Sequence, residues 1–335
     1  MTVLVTGAAG FAGAHVTRAL IAQGRRVIAV DRVPAASAHR LRDLVGRPGL
    51  EYAEGELHSL VGEVISGVGG VGGVSGTGGA GTVSEVWHFA ANTDIPLSAQ
   101  DTGIDIEESV LLTRQVLESM RRGGVGKIVF PSTSAVYGNA ARTALREDFG
   151  PLAPGSLYGA GKVSAEAVIS AYCHLFGIRG WIFRLGNLVG GQMARGIVLD
   201  FLRKLRQDAK ALPVLGDGRQ RKSYVLVDDA VEAMIKISRS PGDSDTPCEI
   251  YNVASSGSLT VREVAAAVAE ALGEPEPRLE ITTSAPSWPG DQPVVELDIS
   301  KARASGWSPR FTPHEAVVAA ARRLLTELED ERNPL

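Results

Sequence analysis

The run VLVTGAAGFAG, residues 3–13, constrains this chain more than any other stretch. Four β-prone residues lead into glycines at 7, 10 and 13, and a helix-like apolar pattern follows from Phe11 to Ala22. Glycine at the first position permits a tight turn. At the second it lets the backbone approach a ligand, and at the third it lets the helix pack closely on the strand. The helix start then presents free N–H groups suited to an anion such as a diphosphate. A glycine triplet alone is a weak signal; its strand, turn, helix, strand setting makes it specific. The second strand, RRVIAV (25–30), runs into Asp31, 18 residues past Gly13. A carboxylate there can hold both ribose hydroxyls of an adenosine, so the pattern predicts a bound dinucleotide. The acid favours NAD over NADP, because a 2′-phosphate would meet a carboxylate. Arg32 pulls the other way, since an arginine can accommodate that phosphate.

The strand–helix alternation continues. LEYAE (50–54), VSEVWHFA (83–90), KIVFPS (127–132) and IRGWIFRL (178–185) read as strands, and roughly 101–121 and 156–176 read as long helices. Apolar runs separated by helices predict a parallel sheet covered on both faces, and right-handed crossovers make it doubly wound, a Rossmann-type α/β fold. After residue 186 the pattern loosens. Helices are expected near 196–207, 228–238, 260–272 and 313–329, with strands at PVL, SYVLV (223–227) and EIYNV (249–253) and an irregular Pro-rich segment at 275–293. We therefore expect a dinucleotide-binding domain over 1–186 and a smaller, discontinuous lobe over 187–335, with about 224–254 returning to the sheet. SGVGGVGGVSGTGGAG (66–81) reads as a flexible glycine-rich insertion, 66–82, and not as a phosphate loop, because it lacks a GK[ST] ending and opens no helix.

Bulk composition removes several classes. The formal charge is −4, so no basic surface invites nucleic acid. No apolar run approaches the ~20 residues that span a bilayer, and MTVLVTG enters a strand directly instead of a signal peptide. Cys173 and Cys248 are the two cysteines and lack CxxC spacing, which suits thiols of a reducing, cytoplasmic compartment better than a disulfide or metal site.

SLYGAGK (156–162) places Tyr158 four residues before Lys162, neighbours on one helix face. Alone, the pair is more simply two exposed side chains. Its company changes that: TGAAGFAG, HFAAN (88–92), PSTSAVYG (131–138), YGAGK (158–162), RLGNLVG (184–190), GDGRQRKSYVLVDD (216–229) and WPGDQPVVELDISKARASGW (288–307) occur in this order. Together they resemble the extended short-chain dehydrogenase/reductases of the NAD-dependent epimerase/dehydratase family over nearly the whole chain. The last two are most similar to the archaeal-like branch of its UDP-glucose 4-epimerases.

That resemblance implies NAD as cofactor, contacted by Gly7, Gly10, Phe11, Ala12, Gly13, Asp31, Arg32, Glu56, Leu57, Phe89, Ala90, Ala91, Tyr158 and Lys162. It implies Thr133, Ser134, Tyr158 and Lys162 as the catalytic group and no metal. Oxidising a sugar alcohol needs a base for the hydroxyl proton. A tyrosine with a pKa near ~10 serves only if a nearby cation favours its phenolate, the task of Lys162. Thr133 matches the residue that hydrogen-bonds the reacting oxygen, although a strand-end hydroxyl can equally satisfy a turn. Dehydratases and decarboxylases of the group are similar in carrying an acid soon after this threonine. Ser134 and Ala135 stand there, which turns the expectation towards 4-epimerisation: transient oxidation at carbon 4, then hydride return to the other face of the keto-sugar.

On the substrate side the resemblance implies Asn187, Arg195, Lys222, Trp288, Asp291 and Val295. Lys222-Ser223 and Trp288 replace an Arg-Asp pair and an arginine of many relatives, and Arg219, Arg221 and Arg195 could supplement Lys222 on phosphate. Val295 leaves room where a tyrosine would restrict N-acetyl groups, or is simply a core valine. Ser109 stands where many short-chain dehydrogenases carry a helix asparagine. The expected substrate is a UDP-hexose. UDP-N-acetylhexosamine, UDP-glucuronate and a dTDP-sugar stay open, as does a catalytically silent nucleotide sensor. The resemblance also implies a homodimer, because relatives commonly pair through the two long helices, here about 101–121 and 156–176.

Overall fold

A computed structural model describes residues 1–67, 83–139, 144–240, 246–281 and 292–330. The glycine-rich stretch 68–82 lies outside the described residues, as do Trp288 and Asp291. The described chain forms two compact units. The first comprises Met1–Ser132, Leu157–Phe183 and Ser238–Ile250; the second comprises Thr133–Ser156, Arg184–Ile237 and Tyr251–Leu335.

The first unit opens with β1 (Thr2–Thr6), α1 (Phe11–Ala22), β2 (Arg26–Asp31), β3 (Leu50–Glu54), α2 (Leu57–Ser66), β4 (Val83–His88) and α3 (Ile95–Gln100). A π-helical turn, Ile106–Leu111, then leads into α4 (Leu112–Gly123). After β5 (Lys127–Thr133) come α5 (Leu157–Phe176) and β6 (Arg179–Leu185). A seven-stranded sheet has the order β11-β6-β5-β4-β1-β2-β3, with β11 at Cys248–Val253. β1 pairs in parallel with both β2 and β4, so the strand order reverses beside it. This is the Rossmann arrangement, in which ligands settle beyond the carboxyl ends of the strands at the reversal. Leu4, Val86, Val116, Leu117, Ile128, Phe130, Ile169 and Ile182 belong to one core between sheet and helices. Each such side chain contributes roughly 1.5–3 kcal/mol on burial.

The sequence suggests one helix over 101–121, and the structure interrupts it. Gly161 on α5 approaches so closely that a Cβ there would lie 3.1 Å from the Asp105 carbonyl and 3.3 Å from the Ser109 Cβ. Thr113 Oγ1 donates to the Ser109 carbonyl at 2.5 Å, which satisfies a backbone group displaced by the wider turn. The two cysteines, far apart in sequence, are both free thiols packed against Gly180. An added Cβ would sit 2.6 Å from one sulfur and 3.2 Å from the other.

The second unit carries β7 (Asn187–Val189), α6 (Ile197–Leu205), β8 (Ala211–Val214), β9 (Arg221–Lys222), β10 (Tyr224–Leu226) and α7 (Val227–Arg239). β12 (Leu259–Thr260), α8 (Val261–Leu272), β13 (Arg278–Ile281), β14 (Val294–Val295), α9 (Ser300–Ala304) and α10 (Pro313–Asp330) complete it. Its strands form small pairings instead of one sheet: β10 with β7, β13 with β8, and β9 between β12 and β14. Thr260 and Glu263 cap α8 reciprocally, a capping box. Among the described residues no helix is long and apolar enough to cross a membrane.

Candidate active site

The glycine turn is built by the absence of side chains. Gly7 has φ +64°, and a Cβ on it would fall 2.6 Å from the Ala90 nitrogen. A Cβ on Gly13 would meet the Gly7 carbonyl oxygen at 2.1 Å. No other residue type fits either place. Gly10 caps α1 without a side-chain hydrogen bond, which leaves the first-turn N–H groups around Phe11, Ala12 and Gly13 for an anion.

Asp31 is 6% exposed, and each carboxylate oxygen accepts one backbone N–H: Ala9 at 2.8 Å and Val33 at 3.0 Å. These bonds orient the carboxylate, and each oxygen keeps lone-pair capacity for a ribose hydroxyl. Arg32 is drawn off to Glu108, 2.6 Å away on the π-turn, and the hydrogen bond with Glu108 holds its pKa above the usual range. Its pull towards a 2′-phosphate is thereby answered. Glu56 is exposed at the N-cap of α2 and Leu57 begins that helix. Phe89 N–H donates to the Thr6 carbonyl at 3.1 Å, which leads the chain from β4 into half-buried Phe89 and Ala91 and buried Ala90. The cradle, the uncapped helix start and the oriented carboxylate fit a dinucleotide.

Tyr158 and Lys162 stand one turn apart at the start of α5, the tyrosine half-buried and the lysine 3% exposed. Lys162 Nζ donates to the Pro131 carbonyl of β5 at 3.0 Å and lies 4.4 Å from the centre of the Phe130 ring. Burial pushes its pKa down to about 8, against the opposing pull of Glu166 and Asp105. The ammonium is thus fixed, desolvated and near its titration point. Two residues beyond Pro131, Thr133 closes the same strand. Its Oγ1 accepts the Ala135 N–H at 3.2 Å, capping the short turn Ser134–Tyr137. The turn-satisfying role therefore exists, and it leaves the hydroxyl proton to be donated elsewhere. Ser134 is 8% exposed.

Sequence reading missed the amides that hold this turn. Gln292 Nε2 donates to the carbonyls of Ala135 at 3.2 Å and Gly138 at 2.8 Å. Asn252, fully buried, accepts from the Tyr137 hydroxyl at 2.7 Å and donates to the carbonyls of Leu145 and Asp298. It also missed Ser132, whose hydroxyl donates to buried Glu166, and His88 beneath the glycine turn. A polar residue inside an apolar strand was the available signal for His88 and Ser132.

The substrate-side residues are less concentrated. Asn187 is exposed at the start of β7, and Arg195 is exposed just before α6. Lys222 donates to the Gln292 carbonyl, and Val295, 2% exposed, stands in register with it. Val295 thus has the surroundings of a core valine. Arg221, offered by the sequence as a supplementary phosphate contact, is engaged instead by the Ser258 carbonyl at 3.0 Å and by Glu263. Arg219 is exposed.

A 33% identical crystal structure of UDP-galactose 4-epimerase superposes with a TM-score of 0.80, over 98% of this chain and all of that one. The UDP-glucose 4-epimerase of Mycolicibacterium smegmatis is 28% identical over 324 residues, 95% of this chain and 96% of its own. The dTDP-glucose 4,6-dehydratase of Streptomyces antibioticus is also 28% identical, over 82% of this chain and 78% of its own. The NAD dependent epimerase/dehydratase family model matches residues 3–254, so this chain belongs to that family and its cofactor is NAD.

Proposed function

We propose that this chain is a nucleotide-sugar 4-epimerase whose substrate is a UDP-hexose, interconverting UDP-glucose and UDP-galactose. The observation that carries the choice over dehydration is Ala135. Elimination needs a base beside the new carbonyl, and the turn Ser134–Tyr137 offers no carboxylate. The nearest acid along the chain, Glu147, accepts the Asn252 N–H at 2.7 Å, and burial raises its pKa. NAD, when bound, supplies the hydride acceptor and donor.

The chain's own residues then handle protons and position. Tyr158 takes the proton from the sugar hydroxyl and later returns one. The Lys162 ammonium favours the phenolate and, in this reading, holds the nicotinamide ribose. Thr133 donates its remaining hydrogen bond to the reacting oxygen. Ser134 is assigned beside it. Asn187, Arg195 and Lys222 are assigned to the diphosphate, Lys222 as a point charge without a bidentate grip. Val295 is assigned to the sugar side, Trp288 to the place of a phosphate-binding arginine of relatives, and Asp291 to the substrate without a finer role. A homodimer through the faces of α4 and α5 is part of the same reading.

Mixing the purified protein with UDP-galactose tests it. UDP-glucose should form without stoichiometric NADH. Net NADH, or a 4-keto-6-deoxy product, would replace the epimerase reading with a dehydrogenase or a dehydratase. Turnover of UDP-glucose with no N-acetyl activity would remove the pocket-opening role from Val295.

A further inference from the structure

A run of hydrogen bonds beneath the glycine turn admits one direction only. Thr6 directly precedes Gly7, and Thr6, His88 and Thr113 are all fully buried. The Ala90 N–H donates to Thr6 Oγ1 at 3.3 Å, and that hydroxyl lies 2.7 Å from His88 Nδ1. On the other side, His88 Nε2 is 3.1 Å from Thr113 Oγ1, which donates to the Ser109 carbonyl. A hydroxyl has one proton to give. Thr113 gives its proton to Ser109, so it accepts from His88, and the imidazole carries its hydrogen on Nε2. Burial, with the Lys162 charge, pushes His88 down to about 3, so the ring is neutral and Nδ1 is bare. Nδ1 therefore accepts from Thr6. Each proton in the run has one place to go.

Two placements give the run a task. Gly7 and Ala90 are so close that a Cβ would not fit between them, so the Thr6–Ala90 bond fixes the spacing of the two segments that flank the dinucleotide cradle. At the far end, Ser109 belongs to the π-turn whose Glu108 holds Arg32 beside Asp31. Resting on the NAD reading, we infer that His88 is a positioning residue for the cofactor. Through Thr6 and Thr113 it locks the glycine turn, the end of β4 and the π-turn into one arrangement.

The test measures NAD affinity by isothermal titration together with thermal stability. Thr6→Val keeps the shape and deletes the hydroxyl; it should weaken NAD binding about ten-fold, while Thr6→Ser stays within about two-fold of wild type. Thr113→Val, one imidazole removed from the turn, should weaken it about three-fold and decides the matter if Thr6→Val fails to fold. Imidazole ¹⁵N spectra should show the Nε2–H form of His88. Variants that lose stability but bind NAD like wild type, or an Nδ1–H ring, would overturn the inference alone. A wild-type chain that does not bind NAD would overturn the cofactor reading with it.

Discussion

The glycine turn and the turn after Thr133 are both short stretches that must be held still, and the chain holds them by opposite means. At the first, backbone packs on backbone because side chains are missing: the Gly7 carbonyl fills the place of a Gly13 side chain. At the second, amides reach in from far along the chain. Gln292 spans 154 residues to the Gly138 carbonyl, and Asn252 spans 115 to the Tyr137 hydroxyl. Contacts made by omission leave a local spacing in the sequence. Contacts made by a single distant amide leave none.

The harshest way to break this contrast is Gly13→Val. With 2.1 Å to the Gly7 carbonyl there is no side chain to move aside, so NAD binding should be lost and stability should fall by about 3 kcal/mol. NAD content after gel filtration and a melting curve read both. Tyr158→Phe probes chemistry instead of fit. It should lower kcat by about 10³ with NAD still bound, the range expected for a positioned acid–base. A loss under ten-fold would remove Tyr158 from proton transfer. Gln292→Met tests the second kind of holding. It keeps the volume and deletes both bonds to the turn, and should cost about ten-fold in kcat, with the melting temperature lowered by only a few degrees. The subtlest effect is electrostatic. Burial depresses the Lys162 pKa from 10.5 to about 8, so between those values the unfolded chain binds the extra proton. The burial cost is full below pH 8 and is relieved as pH rises towards 10.5, by of order 1–3 kcal/mol. Denaturant titrations at pH 7.5 and 9.5 should show this rise in wild type and its loss in Lys162→Met.

Most of the first unit was legible in the sequence. The helix from Phe11 to Ala22 and the strand Leu50–Glu54 fall where the apolar pattern puts them, because alternation and glycine punctuation are local signals. The break at Ile106–Leu111 was not legible, since it answers to Gly161 on another helix. Nor was the engagement of Arg221 by Ser258, because short strands carry little periodicity, whereas the burial of Val295 was one of the two readings its sequence left open. Asp31 was visible from its spacing alone. Its neighbour's commitment was not, because Glu108 lies 76 residues further on.

That ion pair has a consequence for redesign. Exchanging Asp31 for a neutral residue removes the repulsion of a 2′-phosphate but leaves its attraction weakened, because the adjacent guanidinium shares its charge with Glu108. Cofactor preference in this chain is thus written in two carboxylates on separate elements. A variant meant to accept NADP has to lose Glu108 as well, and the double change should exceed the sum of the two single ones.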